Sequence, residues 1–309
     1  MPKKSDFQIK IEYYAVKSLF TLLGFLPRFL AIRLGLLVGD LAYLVLGRLE
    51  KIARTNLEIA FPNLSEDEKK RLIRGCFRSL GRQLGEVTQF PKATKESLSK
   101  IIEFPFTDEE WANYENLKEE GRGVIFLTPH FGGWEILALG ASALLGPQSY
   151  LVRRLDNPLM EELTANLRGK FGNTPMDKAE ATLPALQLLR KGGHLGILAD
   201  VNIQAKEGVF VPFFSRLACT TVGVAALAMR TNALIVLFAA PWIEEKQKYV
   251  VQLGGVFEFE STGNRQQDLV DLTAKYTKAT EEIIRKFPDQ WLWIHKRWKT
   301  RPEGESEIY

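Results

Sequence analysis

The stretch Thr128-Pro-His-Phe-Gly-Gly-Trp-Glu135 sets a histidine five positions before a carboxylate, with two glycines between them. It holds one of only three histidines in the chain. On a continuous helix, residues five apart diverge by roughly 140°. With His130 in a turn and Glu135 in the first turn of a helix, the two side chains can meet. Glu135 would then bond one imidazole nitrogen, and the other nitrogen would take a proton from a hydroxyl. Gly132 and Gly133 would let the backbone turn sharply and bring a substrate close to the main chain. Backbone N–H groups at such a strand–turn–helix junction could also hold an oxyanion. A His-x4-acid spacing is common, so a buried, satisfied histidine stays an equal reading of these eight residues.

Other polar groups fall in neighbouring segments. Arg153 and Arg154 read as contacts for phosphate or another acidic partner, or as solvated surface arginines. Arg168 could bind an oxyanion or a sugar phosphate with its planar fork, or simply complement a helix C-terminus. Asp200 could position an acceptor or orient Arg168, or be an ordinary turn aspartate. His194 stands in a Gly-Gly turn before a strand and reads as structural. His295 lies among Trp291, Trp293 and Trp298 with Lys296, Arg297, Lys299 and Arg301. That mixture fits a membrane interface, a nucleic-acid surface, or a core segment with its tryptophans packed inside.

The elements that position these groups are legible as patterns. Apolar, β-rich runs at 124–128, 149–153, 195–199, 234–240 and 249–256 predict strands. Helical patterns lie near 134–145, 158–171, 181–191 and 220–230, and a long amphipathic one covers 267–287. Asn157-Pro158 is a helix cap followed by proline at the first helical position. Ser65 with acidic residues behind it caps another helix within 51–90. Alternating β and α segments predict an α/β fold with a central, mainly parallel sheet flanked by helices. Active sites in such sheets lie at the carboxyl ends of the strands, where His130, Asp200 and the Arg153 region fall.

Residues 13–46 are very apolar but broken by Pro27, and the longest uncharged run, 18–27, is too short to span a bilayer. Arg33 and Asp40 share one helix face, opposite Leu30, Leu34, Leu37, Leu41 and Leu44. The expectation is a membrane-associating helical segment over 1–48, lying in or against the interface, and a catalytic domain over 49–309. The alternatives are helices that only cover the core, or one tilted span with Lys3 and Lys4 holding the N-terminus in the cytoplasm. The bulk composition agrees with a globular chain: 309 residues, 46% apolar, 25% charged, net charge +4. That charge is too small to argue for nucleic acid. Cys76 and Cys219 match no metal spacing and no disulfide framework.

Seven segments together are more specific: ARTNLEIAFPNLSEDEK, TPHFGGWE, RRLDNPLM, LRGKFGN, LAD, GVFVPFF and QWLWIHKRWKTRP. Across residues 53–302 the chain resembles the bacterial lipid A biosynthesis acyltransferases, the late acyltransferases of endotoxin assembly. These are distant relatives of the glycerolipid acyltransferases. The resemblance implies a glycerolipid-acyltransferase-like fold. It also implies transfer of a fatty acyl chain from an acyl-carrier-protein thioester to a hydroxyl on a lipid A precursor. No metal, nucleotide or other cofactor is implied, and the place of work is the cytoplasmic face of the inner membrane. His130 matches the family's catalytic base and Glu135 its partner, while Arg168 and Asp200 match residues important for activity. A thioester is already activated, so no covalent enzyme intermediate is needed. An apolar pocket lined from several helices should measure the acyl chain. Asn202 stands where relatives often carry a second acid, and Arg153-Arg154 where many have Arg-Pro; both departures bear on acceptor and acyl preference. Rival readings keep the chemistry with a lysophospholipid, phosphatidylinositol mannoside or aminolipid acceptor. Others make the chain a thioesterase or a peripheral membrane-binding module. No Gly-x-Ser-x-Gly elbow is present, which argues against a serine hydrolase.

Overall fold

The computed structural model describes residues 5–309. Lys3 and Lys4, offered above as a topological anchor, lie outside the described residues. The chain opens with four long helices: α1 (Asp6–Phe25), α2 (Arg28–Val45), α3 (Gly47–Ala60) and α4 (Glu66–Val87). The short helix α5 (Lys95–Ser99), strand β1 (Ile102–Glu103) and helix α6 (Asp108–Glu119) lead into the sheet. There follow β2 (Val124–Thr128), α7 (Trp134–Leu145), β3 (Ser149–Val152), α8 (Pro158–Arg168), β4 (Thr174–Asp177), α9 (Thr182–Arg190) and β5 (His194–Leu198). A hairpin of β6 (Gly208–Phe213) and β7 (Arg216–Thr221) precedes α10 (Gly223–Thr231) and β8 (Leu234–Ala239). The chain ends with β9 (Trp242–Ile243), β10 (Lys248–Val250), β11 (Gln252–Phe257), α11 (Arg265–Lys286) and a C-terminal segment of turns.

The central sheet has six strands in the order β11-β8-β2-β5-β3-β4. Every pair in it is parallel except β11 with β8. The mixed α/β architecture and mainly parallel sheet agree with the pattern of the sequence. β2 alternates its side chains between two layers. Ile125 and Leu127 join the core under α9, α10 and α11, and Val124 and Phe126 face the opposite layer. Helix α7 belongs to that second side, packed with Ile102 and Tyr249. The caps are as the sequence predicts. Ser65 and Glu68 form a reciprocal capping box on α4, and the Asn157 side chain accepts from the Leu159 and Met160 N–H groups.

Three elements differ from the sequence reading. The run 249–256 is two strands, because Val251 separates a strand paired with β1 from one paired with β8. Residues 220 and 221 belong to β7 rather than to α10, since Gly208–Phe213 pairs with them as a hairpin. Edge strand β4 is short and carries Pro175, and it has no apolar periodicity to betray it.

Helices α2 and α4 touch backbone to backbone. A Cβ on Gly35 would lie 2.2 Å from the Gly81 carbonyl oxygen, and one on Gly39 would lie 2.4 Å from that of Phe77. That glycine face turns the opposite side of α2 outward, with Leu37, Leu41, Leu44 and Val45 exposed. Asp40 is tied to Arg74 and Arg78 of α4. Among the described residues no single helix is long and apolar enough to cross a membrane. The α2–α3 pair passes by length and composition but bends by 87°, and α3 buries Ala53 and Leu57 in the core.

Candidate active site

His130 and Asp200 meet because their strands are neighbours in register. Thr128 of β2 pairs with Leu198 of β5, so the residues two positions further on leave the sheet side by side. Asp200 Oδ1 accepts from His130 Nδ1 at 2.7 Å, and Oδ2 accepts from the His130 backbone N–H at 2.8 Å. The Trp291 indole N–H donates to Oδ2 at 2.8 Å. The aspartate side chain is 4% exposed and the imidazole 25%. Burial pushes the Asp200 carboxyl up, but the His130 imidazole, the Trp291 indole and the His130 N–H more than offset it. The acid stays below its ordinary range. Burial likewise resists protonation of His130, yet Asp200 outweighs it, with a smaller push from Glu135, and the imidazole is raised above its ordinary value. With Nδ1–H held by the carboxylate, the basic lone pair sits on Nε2.

The partner of the imidazole is therefore Asp200 and not Glu135, which corrects the pairing expected from the His-x4-Glu spacing. Glu135 stands in the first turn of α7 and turns instead to Arg168, the last residue of α8. Arg168 Nε donates to Glu135 Oε2 at 2.9 Å, and Nη2 donates to Oε1. This side-on fork leaves Nη1 out of the pair. The Arg168 guanidinium also lies 5.9 Å from the Tyr150 ring centroid. Burial lowers its proton affinity, and the Glu135 carboxylate more than restores it. Glu135 reaches His130 only through its field.

The two glycines do not serve as expected. Gly132 takes φ +55°, the left-handed conformation that glycine tolerates. Its N–H donates to the Gln290 carbonyl, and the Gly133 N–H donates to the Ala240 carbonyl, each at 2.9 Å. A Cβ on Gly132 would lie 2.2 Å from the Ala240 oxygen. The close approach is to the protein's own backbone, and neither N–H is free for an oxyanion or a substrate. Arg153 and Arg154 stand two strands from His130, beyond the carboxyl end of β3. Both are exposed, Arg154 with Asp177 at 2.9 Å and Arg153 with Asp156 at 3.7 Å.

The C-terminal segment is the part of the site that residue types did not announce. Leu292 N–H donates to the His130 carbonyl, and Trp291 makes an isolated antiparallel bridge with Phe131, so residues 290–292 lie along the His130 turn. Trp291, Trp293 and Trp298 are at most 2% exposed, which selects the packed core segment from the readings left open and sets aside the lipid-facing one. Asn56 of α3 fixes its course by donating to the Trp293 and His295 carbonyls at 2.6 and 2.7 Å. Burial pushes His295 down to about 4, and its Nε2 accepts the Asn202 N–H at 2.9 Å. His194 opens β5 with its ring edge-on to Phe126 at 5.2 Å.

Beside the Glu135–Arg168 pair lies a cavity of ≈ 240 Å³. Its apolar walls come from Phe20 of α1, Leu80, Leu84 and Val87 of α4, Phe90, and Leu167 of α8. Gln83, Thr164, Glu135 and Arg168 supply its polar groups. A base fixed by a buried carboxylate, beside an ion pair that fronts an apolar chamber, can take a proton from a hydroxyl next to an apolar chain.

Comparison with known proteins gives the family. A family model described as bacterial lipid A biosynthesis acyltransferase matches residues 1–300. The chain is 30% identical over 278 residues to the lipid A biosynthesis palmitoleoyltransferase of Escherichia coli (strain K12), covering 89% of this chain and 87% of that one. It is 28% identical over 291 residues to the lipid A biosynthesis lauroyltransferase of the same organism, covering 92% and 90%.

Proposed function

The chain belongs to the bacterial lipid A biosynthesis acyltransferase family, and we propose that it moves a fatty acyl group from an acyl-carrier-protein thioester to a hydroxyl of a lipid A precursor. The observation that carries the mechanism is the 2.7 Å contact between His130 Nδ1 and Asp200 Oδ1. His130 Nε2 takes the proton of the acceptor hydroxyl as its oxygen attacks the thioester carbonyl. The tetrahedral intermediate then expels the carrier thiolate, which recovers the proton from His130. No bond to the enzyme forms. Asp200 holds the tautomer and stabilises the imidazolium, and base catalysis of this kind contributes roughly 10²–10⁴-fold. Arg168, with Nη1 outside its pair, faces the developing oxyanion or a phosphate of the acceptor. The cavity between α1, α4 and α8 takes the acyl chain.

The site works at the cytoplasmic face of the inner membrane, where an amphiphilic acceptor resides. Support for this comes from the exposed apolar side chains of the first two helices. Phe7, Leu22 and Phe25 of α1 and Leu41, Leu44 and Val45 of α2 are each at least 60% exposed. Such a surface is what an interfacial helix pair offers lipid.

The test is transfer of labelled acyl chains from a panel of acyl-carrier-protein thioesters. The acceptors are a tetra-acylated lipid A precursor and a lysophospholipid, each with wild type and His130→Ala. The expected result is label on the lipid A precursor, lost in the variant. Label only on the lysophospholipid overturns the acceptor, and free fatty acid alone makes the enzyme a thioesterase. Full turnover in His130→Ala removes the base.

A further inference from the structure

Arg297 lies in the C-terminal segment with 1% of its surface exposed. Its Nη1 donates to the Cys219 carbonyl at 2.7 Å and its Nη2 to Thr220 Oγ1 at 2.5 Å. Both acceptors are neutral, so no carboxylate bonds this buried cation among the described residues. A buried ion without a counter-ion is costly, and its presence calls for a cause. Two buried polar atoms nearby lack a protein partner, Arg297 Nε and Thr277 Oγ1. Both residues line a cavity of ≈ 10 Å³ together with Asp200, Tyr276 and Thr280. That is room for about one water, with polar atoms to bind it. Asp200 thus has the His130 imidazole bonded to it and the Arg297 guanidinium on the wall of the same small cavity, into which the otherwise apolar lining admits only a few polar atoms.

We propose that Arg297 is a positioning residue that, through one water in this cavity, supplies the buried counter-charge that keeps Asp200 anionic while His130 is the neutral base. The inference rests on the proposed role of His130. With His130 neutral, the His130–Asp200 pair carries a net negative charge in the protein interior. With His130 protonated, the pair is neutral. A fixed cation favours the first state, so it holds the base ready for a proton while the carboxylate keeps its tautomer. Burial pushes the guanidinium itself down to about 10, and Asp200 is foremost among the groups that oppose this. The other titratable groups around Arg297 are Cys219 of β7, Tyr276 of α11 and Tyr309 at the C-terminus. Those around the pair are His295, Glu135 and Arg168.

The experiment follows the His130 imidazole by NMR in histidine-labelled protein, alongside the pH profile of kcat/KM. In Arg297→Gln both the imidazole midpoint and the acid limb should move up by roughly one pH unit. Arg297→Lys, which keeps the charge, should leave both close to wild type. Thr277→Val, which removes the water's second anchor and no charge, should move them the same way by less. A folded Gln variant whose midpoint stays in place overturns the proposal, even if its rate or Tm falls. A Lys variant that shifts as far as the Gln variant does so too. Where the Gln variant does not fold, Thr277→Val decides, and an unmoved midpoint is the negative result. The imidazole titration is read without turnover. Failure of the base assignment therefore shows separately, as full turnover in His130→Ala.

Discussion

Two acid–base pairs stand a few residues apart in this site, and they are built differently. His130–Asp200 is held from the backbone. The aspartate takes one bond from the imidazole, one from the His130 N–H and one from the Trp291 indole, and the C-terminal segment lies over the turn. Glu135–Arg168 joins the ends of two helices. Its side chains are 14% and 34% exposed, and both line the apolar cavity. The first pair has one available geometry, which suits a proton acceptor that must not wander. The second pair is the more exposed and lies on the cavity wall, which suits groups that meet a ligand. Sequence spacing joined His130 to Glu135, whereas the fold gives each a separate partner.

The largest effect that could break this comparison lies at Asp200. Asp200→Asn keeps the shape but removes the charge and frees the tautomer, and kcat should fall roughly 10²–10⁴-fold. Its acid limb should also move down, because the Asp200 carboxylate is what lifts the His130 imidazole above its ordinary value. In wild type the rate should accordingly rise with pH through a midpoint above the ordinary imidazole value, as the base loses its proton. Steady-state rates across a pH series read both effects. An Asn variant that loses less than Glu135→Gln would reverse the assignment of the two acids.

A smaller effect separates the pairs from one another. Glu135→Gln and Arg168→Gln should each lower kcat/KM, and the double variant should lose little more than either. A coupling of about 1–3 kcal/mol is expected for residues in direct contact. The same cycle between Glu135 and Asp200 should show much less, since the two carboxylates share no hydrogen-bond partner. Equal couplings in both cycles would mean one network of four residues rather than two pairs.

The difference between the pairs also marks what was legible in the sequence. Strand β2 and helix α7 could be read from Val124–Thr128 and Trp134–Leu145, because apolar runs and periodicity are local. The two N-terminal helices and their break at Pro27 were legible for the same reason. The bond between His130 and Asp200 was not, because it depends on β5 lying beside β2. Strand order is a long-range property that no spacing encodes. Once that order is known, the register of Thr128 with Leu198 makes the contact almost inevitable. The C-terminal tryptophans left three readings open for a physical reason. Tryptophan among lysine and arginine is also what a buried indole cluster looks like when its cations point outward or, like Arg297, find carbonyls inside. The glycines were read correctly as a sharp turn and wrongly as a cradle, since composition does not say whose backbone comes close.

The subtlest consequence concerns the cavity, which the Glu135–Arg168 pair lines and the His130–Asp200 pair does not. Leu84 lies on its wall from α4. Leu84→Phe should shorten the space without touching the base, because Leu84 lines this chamber and neither His130 nor Asp200 does. Each methylene that no longer fits an apolar pocket costs about 1–3 kcal/mol. The ratio of kcat/KM for a sixteen-carbon over a twelve-carbon donor should therefore fall, on the order of tenfold or more. The rate with the shorter donor and the position of the acid limb should hold. A competition assay with mixed acyl-carrier-protein thioesters reads that ratio directly. If the ratio is unchanged, the chain lies elsewhere and Glu135–Arg168 is a structural clasp between α7 and α8. If the ratio falls and the acid limb moves with it, the chamber and the base are coupled, and the division of labour between the two pairs is not as clean as their geometry.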